Sequence, residues 1–371
     1  MTLILSVIYI SSLIFVYPAS RRDFSGSNKP GRLTMTALHA IYRKFRFPFK
    51  FLNAAIRYPA AQARVKRYSV MSIEETVDLL LRNPQLSLAR YGDGELEMTW
   101  YKNIGFQPFD PNLSARLKAL LQQDSGANPN CLICLPDAFR TTRNMRSGSA
   151  LFWFFHKSFY FKYYEALLNK QYHYGNTSVT RPYHDYKGKQ LSRTIFDKFK
   201  QLYQGRRVLI VEGSGTRLGL GNDLLEGASE VKRITTLNRN AFSVYVRLFD
   251  TVLKNAVNFD LVLISLGPTA TVLAYDLSQH GIRCIDSGHV DIEYEWMLAS
   301  ATSKIKVDGK NVNEAGVLLS EQTTVADATY QQQILLHVGE IPQAGTADTE
   351  AVTQAVVIPL PHVSPNHHNA A

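Results

Sequence analysis

Three cysteines in 371 residues are too few for a disulfide framework. Cys131 and Cys134 form a C-x-x-C, yet no second pair and no nearby histidine completes a zinc site. Within NCLICLP they read as small hydrophobes of a short buried strand, reduced as in a cytosolic setting. Charge is absent from residues 1–20, and after Lys310 there is no lysine or arginine although six acids remain. No positive residue precedes the apolar run 2–17, which argues against a cleavable signal peptide. Internal repeats are missing too, which excludes solenoid and propeller architectures.

What is present is uneven. The net charge is +10, but residues 21–67 alone carry +11, and residues 68–371 sum to −1. A high isoelectric point by itself suggests nucleic acid; a basic arm beside an apolar segment suggests an anionic membrane surface instead, and nucleic acid is not expected as a partner. The run 2–17 is near the short limit for a membrane-spanning helix, and Arg21 and Arg22 after it place the rest of the chain on the cytoplasmic face. The organisation expected is a hydrophobic segment at 1–20, a basic arm at 21–67, a folded body at 68–315 and a polar, largely disordered tail at 316–371. Within the tail, QQQILLHV is able to form a short element.

Along the body, S-I-E-E from Ser72 is a capping box opening a helix that ends at Asn83-Pro84. LSLARY predicts a strand, with Gly92-Asp93-Gly94 as a turn after it. CLICL predicts a buried strand, and residues 149–169 a strongly aromatic helix. The second half alternates regularly: apolar strands at 206–213, 231–237, 260–267 and 282–286, separated by segments of helical period. Such alternation means βαβ units, a mostly parallel sheet and helices on both faces. Right-handed crossovers put the loops that follow the strands on one edge, where ligands bind.

Four polar loops then converge. Arg90-Tyr-Gly-Asp-Gly-Glu95 offers carboxylates at i and i+2, which point the same way if the chain is extended. Hard oxygen ligands favour Mg2+ or Mn2+ bridged to a diphosphate, with Arg90 as a bidentate phosphate contact. The plain alternative is a surface turn with solvated acids. Glu212-Gly-Ser-Gly-Thr-Arg-Leu-Gly-Leu-Gly-Asn-Asp223 follows an apolar strand and suits a phosphate cradled by backbone N–H groups, with Arg217 adding charge. Its spacing is not the dinucleotide fingerprint, and no acid ends the next strand to grip a ribose, which weakens a nicotinamide-dependent oxidoreductase. A tight strand–helix turn without ligand is the plain alternative here. Gly288-His-Val-Asp-Ile-Glu-Tyr-Glu-Trp296 packs one histidine and three carboxylates into seven residues. A helix starting near Asp291 would put Asp291 and Glu295 on one face and offer a general base; Asp291 as a helix cap is the alternative. Gly267-Pro-Thr-Ala-Thr271 suits a phosphate or ribose, or is simply a proline at the first helical position.

Taken in order, RYGDGE, VEGSGTRLGLGNDL, the NAF at 240–242, SLGPTATVLAYDL and DSGHVDIEYEW resemble the GT-D-type glycosyltransferases, recognised in bacterial pathways that extend sugar chains on serine-rich adhesins. The resemblance covers roughly residues 70–315. It implies a Rossmann-like fold and a D-x-E metal site at Asp93 and Glu95. A UDP-sugar donor is implied, glucose favoured, with a saccharide acceptor in surface glycan or glycoprotein synthesis. It places Arg90, Gly92, Gly213, Ser214, Gly215, Arg217, Asn222, Asp223, Asn240, Pro268 and Thr269 at the donor, with Arg217 on the diphosphate. Glu295 is the first choice for the catalytic carboxylate, with His289 and Asp291 beside it. The competing reading keeps the fold without catalysis, as a nucleotide-sugar-binding assembly protein at the membrane.

Overall fold

The computed structural model describes residues 35–124, 126–312 and 328–339, with side chains from residue 46. The apolar run 2–17, the start of the basic arm and the end of the tail lie outside the described residues. Among those described, no helix is long and apolar enough to cross a membrane.

Among the described residues nine strands form the sheet: β1 (Ser69–Val70), β2 (Ser87–Arg90), β3 (Cys131–Leu135), β4 (His173–Asn176), β5 (Arg207–Gly213), β6 (Glu230–Thr236), β7 (Leu261–Ser265), β8 (Cys284–Asp286) and β9 (Ile334–Val338). Their order is β1-β4-β3-β2-β8-β7-β5-β6-β9, and every pairing is parallel. β3 is buried along its whole length and β7 up to Ser265, which is why they read as apolar runs rather than alternating ones. From β2 the chain winds outward through β3 to β4, crosses to β5 and β6, and returns inward through β7 to β8. Strands from the two windings meet where β2 pairs with β8, a topological switch point at the middle of the sheet.

Local chemistry sets the elements. The Ser72–Glu75 capping box forms as expected, with Ser72 N–H donating to Glu75 Oε2 at 2.7 Å and Glu75 N–H to Ser72 Oγ at 3.1 Å. Pro268 opens the helix Pro268–Gln279, whose residues from Pro268 to Ser278 are all buried against β2, β7 and β8. A helix covered all round needs no solvated stripe, and its buried polar side chains Thr271 and Asp276 are hydrogen-bonded instead.

Three expectations are corrected. Gly92-Asp93-Gly94 is not an isolated turn: Gly92 caps the short helix Asp93–Met98, so Asp93 and Glu95 sit in a first helical turn and not on extended chain. The body is also larger than residues 68–315. Residues from Ala54 belong to it, because Ala54, Ala61 and Val65 on the helix Met35–Val65 are buried. Downstream, the helix Ala328–Gln333 and β9 lie inside the expected tail, and β9 pairs with β6. The short element expected at QQQILLHV is present, as the end of that helix and the edge strand β9.

Candidate active site

The C-terminal ends of seven strands open into one cavity of about 770 Å³. Arg90 and Gly92 follow β2, Pro136 follows β3, and Thr177 and Ser178 follow β4. From the other winding come Gly213 after β5, Leu237 and Asn238 after β6, Gly267 after β7 and Gly288 after β8. Convergence of the post-strand loops on one edge is therefore observed, and it brings Arg90, Gly92, Asp93, Glu95, Gly213, Asn240, His289 and Asp291 to one wall.

Arg90 stands at the switch point. Its Nε donates to Asp286 O at 2.7 Å and its Nη2 to Asp286 Oδ1 at 2.8 Å. Thr271 Oγ1 donates to Arg90 O at 2.8 Å, so the strand end is held from three directions. Asp286 was not singled out from sequence, yet it fixes the Arg90 guanidinium where that residue lines the cavity. Gly288 makes the approach possible: a Cβ there would lie 1.8 Å from Arg90 Nη2, and its φ is +47°.

Beside Arg90, Asp93 is exposed and Glu95 half-buried, both on the cavity wall. Glu95 Oε2 accepts from Gly92 N–H at 2.9 Å. Burial, and then the nearby Asp286 carboxylate, push Glu95 up to about 7. Among the described residues no group of three or more His, Cys, Asp or Glu side chains is arranged to hold a metal. Two hard oxygen donors do suit Mg2+ or Mn2+, which complete their shells with phosphate and water. A cation beside Glu95 would also offset the crowding of negative charge that raises it. The donor set thus fits a phosphate-bridged ion rather than a protein cage.

The glycine-rich loop after β5 is braced from below. Glu212 and Arg233, both fully buried, pair at 2.7 Å. Glu212 Oε2 accepts from Leu218 N–H at 2.8 Å, and Arg233 Nη2 donates to Leu218 O at 2.8 Å. Tyr330 from the chain end adds its hydroxyl to Glu212 Oε1 at 3.2 Å. Asn311 seals the loop by donating to Ser214 O at 3.0 Å and, through its backbone, to Gly215 O at 2.8 Å. Gly213 and Thr216 face the cavity; Ser214 turns its hydroxyl onto Thr236 O.

Several expected residues stand elsewhere. Arg217, at φ +52°, is buried: its Nη1 donates to Gly309 O at 2.8 Å and its guanidinium lies 5.5 Å from the Tyr330 ring. It is not among the residues lining the cavity, because the loop's turn carries its side chain toward the 307–312 segment. Asp223 pairs with Lys200 and accepts from Tyr294 Oη at 2.6 Å, also off the wall. Pro268 takes the plain role of first helical residue, and Thr269 is fully buried. Asp291 and Glu295 do share a helix face, as the i,i+4 spacing suggested, but Lys310 bridges them at 2.8 and 2.9 Å. Asn222 Nδ2 donates to both, at 2.8 and 2.7 Å. Asp291 still lines the cavity, whereas Glu295 does not. Burial raises Asp291, and Lys310 acts against it. Asp291 is no helix cap; His289 holds that position.

Residues 88–315 match the family described as glycosyltransferase GT-D fold. The chain belongs to the GT-D glycosyltransferase family. It is 37% identical over 295 residues to a probable glycosyl transferase, Gly, of Streptococcus gordonii, which covers 78% of this chain and 42% of that protein. It is 36% identical over 269 residues to the glycosyltransferase GlyD of Streptococcus pneumoniae serotype 4, covering 72% of this chain and 32% of that one. This chain thus spans less than half the length of both curated relatives. A solved structure described as the highly conserved domain of unknown function 1792 with a distinct glycosyltransferase fold superposes with a TM-score of 0.70 at 35% identity, over 76% of this chain and 99% of its own. Another, described as a new glycosyltransferase from Streptococcus sanguinis, gives 0.68 at 37% identity, over 73% and 99%. The cavity lies at the C-terminal edge of the parallel sheet in this GT-D chain.

Sequence reasoning missed the wall built after β3 and β4. Phe152, Trp153, Arg181, His184 and Asp185 all line the cavity. β4 is four residues long and ends in Gly-Asn, which left no period to read. Lys310 was likewise passed over, since nothing in ATSKIKVDGK distinguishes it from Lys304 and Lys306.

Proposed function

We propose that this glycosyltransferase transfers a hexose, glucose favoured, from a UDP-sugar to a saccharide acceptor in surface glycan or glycoprotein synthesis, with a divalent metal. The observation that carries the reading is the meeting of Asp93, Glu95 and Arg90 with the Gly213 and Thr216 backbone on one cavity wall at the switch point. Asp93 and Glu95 would hold Mg2+ or Mn2+. When bound, the ion supplies positive charge that stabilises the departing diphosphate. Arg90, held by Asp286 and lining the cavity, would contact a phosphate oxygen. In the transfer, an acceptor hydroxyl oxygen bonds to C1 of the sugar. The C1–O bond to the diphosphate breaks with its electron pair on UDP, and the hydroxyl proton passes to the Asp291 carboxylate. Lys310 and Asn222 hold that carboxylate in place.

A membrane role for residues 1–67 is part of the proposal, with the body on the cytoplasmic face. It is supported by Phe47, Phe49, Phe51 and Leu52, large apolar side chains that stand 44–76% exposed on a basic helix. The double tie of Asp291 and Glu295 to Lys310 favours one competing reading, a nucleotide-sugar-binding protein without turnover.

The deciding experiment follows UDP release from a panel of nucleotide sugars with Mn2+, with chelator, and in Asp93→Asn and Asp291→Asn. Release from one UDP-sugar that disappears with chelator and in Asp93→Asn is expected. Binding without release, whatever acceptor is added, would move the protein to the non-catalytic reading. Neither binding nor release by a folded protein would overturn the donor assignment.

A further inference from the structure

The cavity is wider than the donor reading uses. Along the sheet edge, β4 and β5 are five strand spacings apart, roughly 24 Å at about 4.8 Å each. The carboxylates after β2 sit between them. Backbone-rich turns after β8, β7, β5 and β6 form one side and suit phosphates and a nucleoside. The other side, after β3 and β4, is a different surface. It has few glycines and is walled by side chains of the aromatic helix Ser147–Tyr164 and of the loop 181–185.

We propose that this second side is the acceptor subsite and that it takes a pyranose ring stacked on Phe152 with its hydroxyls on Asp185. The inference rests on the glycosyltransferase reading above and gives that site its second substrate.

Three observations carry it. Phe152 is 44% exposed although it lines the cavity, and its ring is held edge-on against Trp153 at 5.3 Å. An apolar ring kept open at a polar wall is a platform for the C–H face of a sugar. Asp185, in the same wall, accepts on Oδ1 at 2.8 Å the hydroxyl of Ser149, which stands one helical turn before Phe152. Its Oδ2 has no hydrogen-bond partner among the described residues. A carboxylate accepts and never donates, so it suits sugar hydroxyls and repels a second phosphate. Asp185 is moreover anchored: its carbonyl takes Arg146 N–H at 2.8 Å, and Arg146 Nη1 donates to Thr302 O at 2.7 Å. Arg181, also on this wall, lies 3.8 Å from the buried Glu293 carboxylate. The combination of an open ring, a fixed acceptor-only group and continuity with the metal-side carboxylates is that of a saccharide end presented to the donor carbon.

The test is saturation-transfer NMR on the full chain with UDP and Mn2+-free Mg2+ present, using methyl glucoside, methyl galactoside and methyl N-acetylglucosaminide as probes. UDP binding is measured in parallel by calorimetry. Saturation of ring C–H protons of at least one glycoside is expected in the wild-type protein. It should fall at least fivefold in Phe152→Ala and in Asp185→Asn, while Phe152→Tyr retains it. Wild-type protein that binds no glycoside at tens of millimolar, or glycoside binding that both variants leave intact, would overturn the subsite. Loss of UDP affinity in both variants to the same degree as glycoside binding would also overturn it, since the wall would then belong to the donor. Failure of UDP to bind the wild type would count against the donor reading instead, and the glycoside signals would still decide this one.

Discussion

The two windings of the sheet build opposite kinds of wall. The later one, β5 to β8, meets the cavity with glycine-bearing turns at Gly213, Gly267 and Gly288, flanked by Asn240, His289 and Asp291. The earlier one, β2 to β4, meets it with rings and charged groups: Phe152, Trp153, Arg181 and Asp185. Backbone recognition asks for close approach and a fixed turn, so it needs glycines and rigid support beneath them. Side-chain recognition asks for an anchored helix and tolerates change at its tips. The difference teaches where the fold holds still and where it is free to vary. On the proposals made above, donor chemistry would fall to the backbone-lined half and acceptor choice to the half whose contacts are single side chains, and the acids of the β2 loop lie at the seam between them.

Breaking the support of the backbone wall should have the largest effect. Arg233→Ala leaves Glu212 buried without its partner and strips Leu218 O of a donor. Removing one member of a buried pair costs ~3–5 kcal/mol, so chemical denaturation should show a loss of that order. UDP affinity should fall with it, because Glu212 and Arg233 both hold the loop at Leu218. A variant with native stability would mean that the loop is not braced through this pair.

At the seam, Asp93→Asn and Glu95→Gln should each cut metal-dependent UDP release by 10²–10³-fold, ~3–4 kcal/mol in transition-state stabilisation. Melting temperature should barely move for Asp93→Asn, since the side chain is exposed. Equal losses of stability and activity would instead make the seam structural. Smaller again is Gly288→Ala. The added methyl needs the space of Arg90 Nη2, and the residue must hold φ +47°. Roughly 1–2 kcal/mol of backbone strain is expected, with the Arg90–Asp286 contact loosened. Phosphate affinity should weaken even where the fold survives, which fluorescence-monitored UDP titration would show.

These contrasts also say what the sequence makes legible. Strands β5 and β7 are readable from their four-residue apolar runs, Val208–Val211 and Leu261–Ile264, and the ordered motifs place the loops of the later winding on one edge. Asp93, Glu95 and Gly213 could be assigned to that edge from connectivity alone. Arg217 could not: which way a side chain leaves a left-handed residue depends on packing against the 307–312 segment, far along the chain. Nor could the Lys310 bridge, since spacing shows that Asp291 and Glu295 share a face but not what meets that face. The aromatic helix was legible as a helix and illegible as a wall. Its rings pack both inward and onto the cavity, and composition does not say which do which.

His156 tests the side-chain half on its own. It is buried in that aromatic helix among Phe152, Trp153, Tyr160 and Tyr164, with no hydrogen-bond partner on either ring nitrogen among the described residues. Burial, followed by the charge of Lys102, pushes it down to about 3. The unfolded chain takes up a proton below about 6.5, while the folded one stays neutral, so stability is lost as pH falls from that point. Between pH 7.5 and 5.5 this group alone should cost about 1.4 kcal/mol, and His156→Phe should flatten that part of the pH–stability curve. Because the later winding has no such residue under its glycines, acid should loosen the acceptor wall first, with glycoside binding declining before UDP binding does. A slope that survives His156→Phe would assign the acid sensitivity to another group and leave packing alone to hold the aromatic half in place.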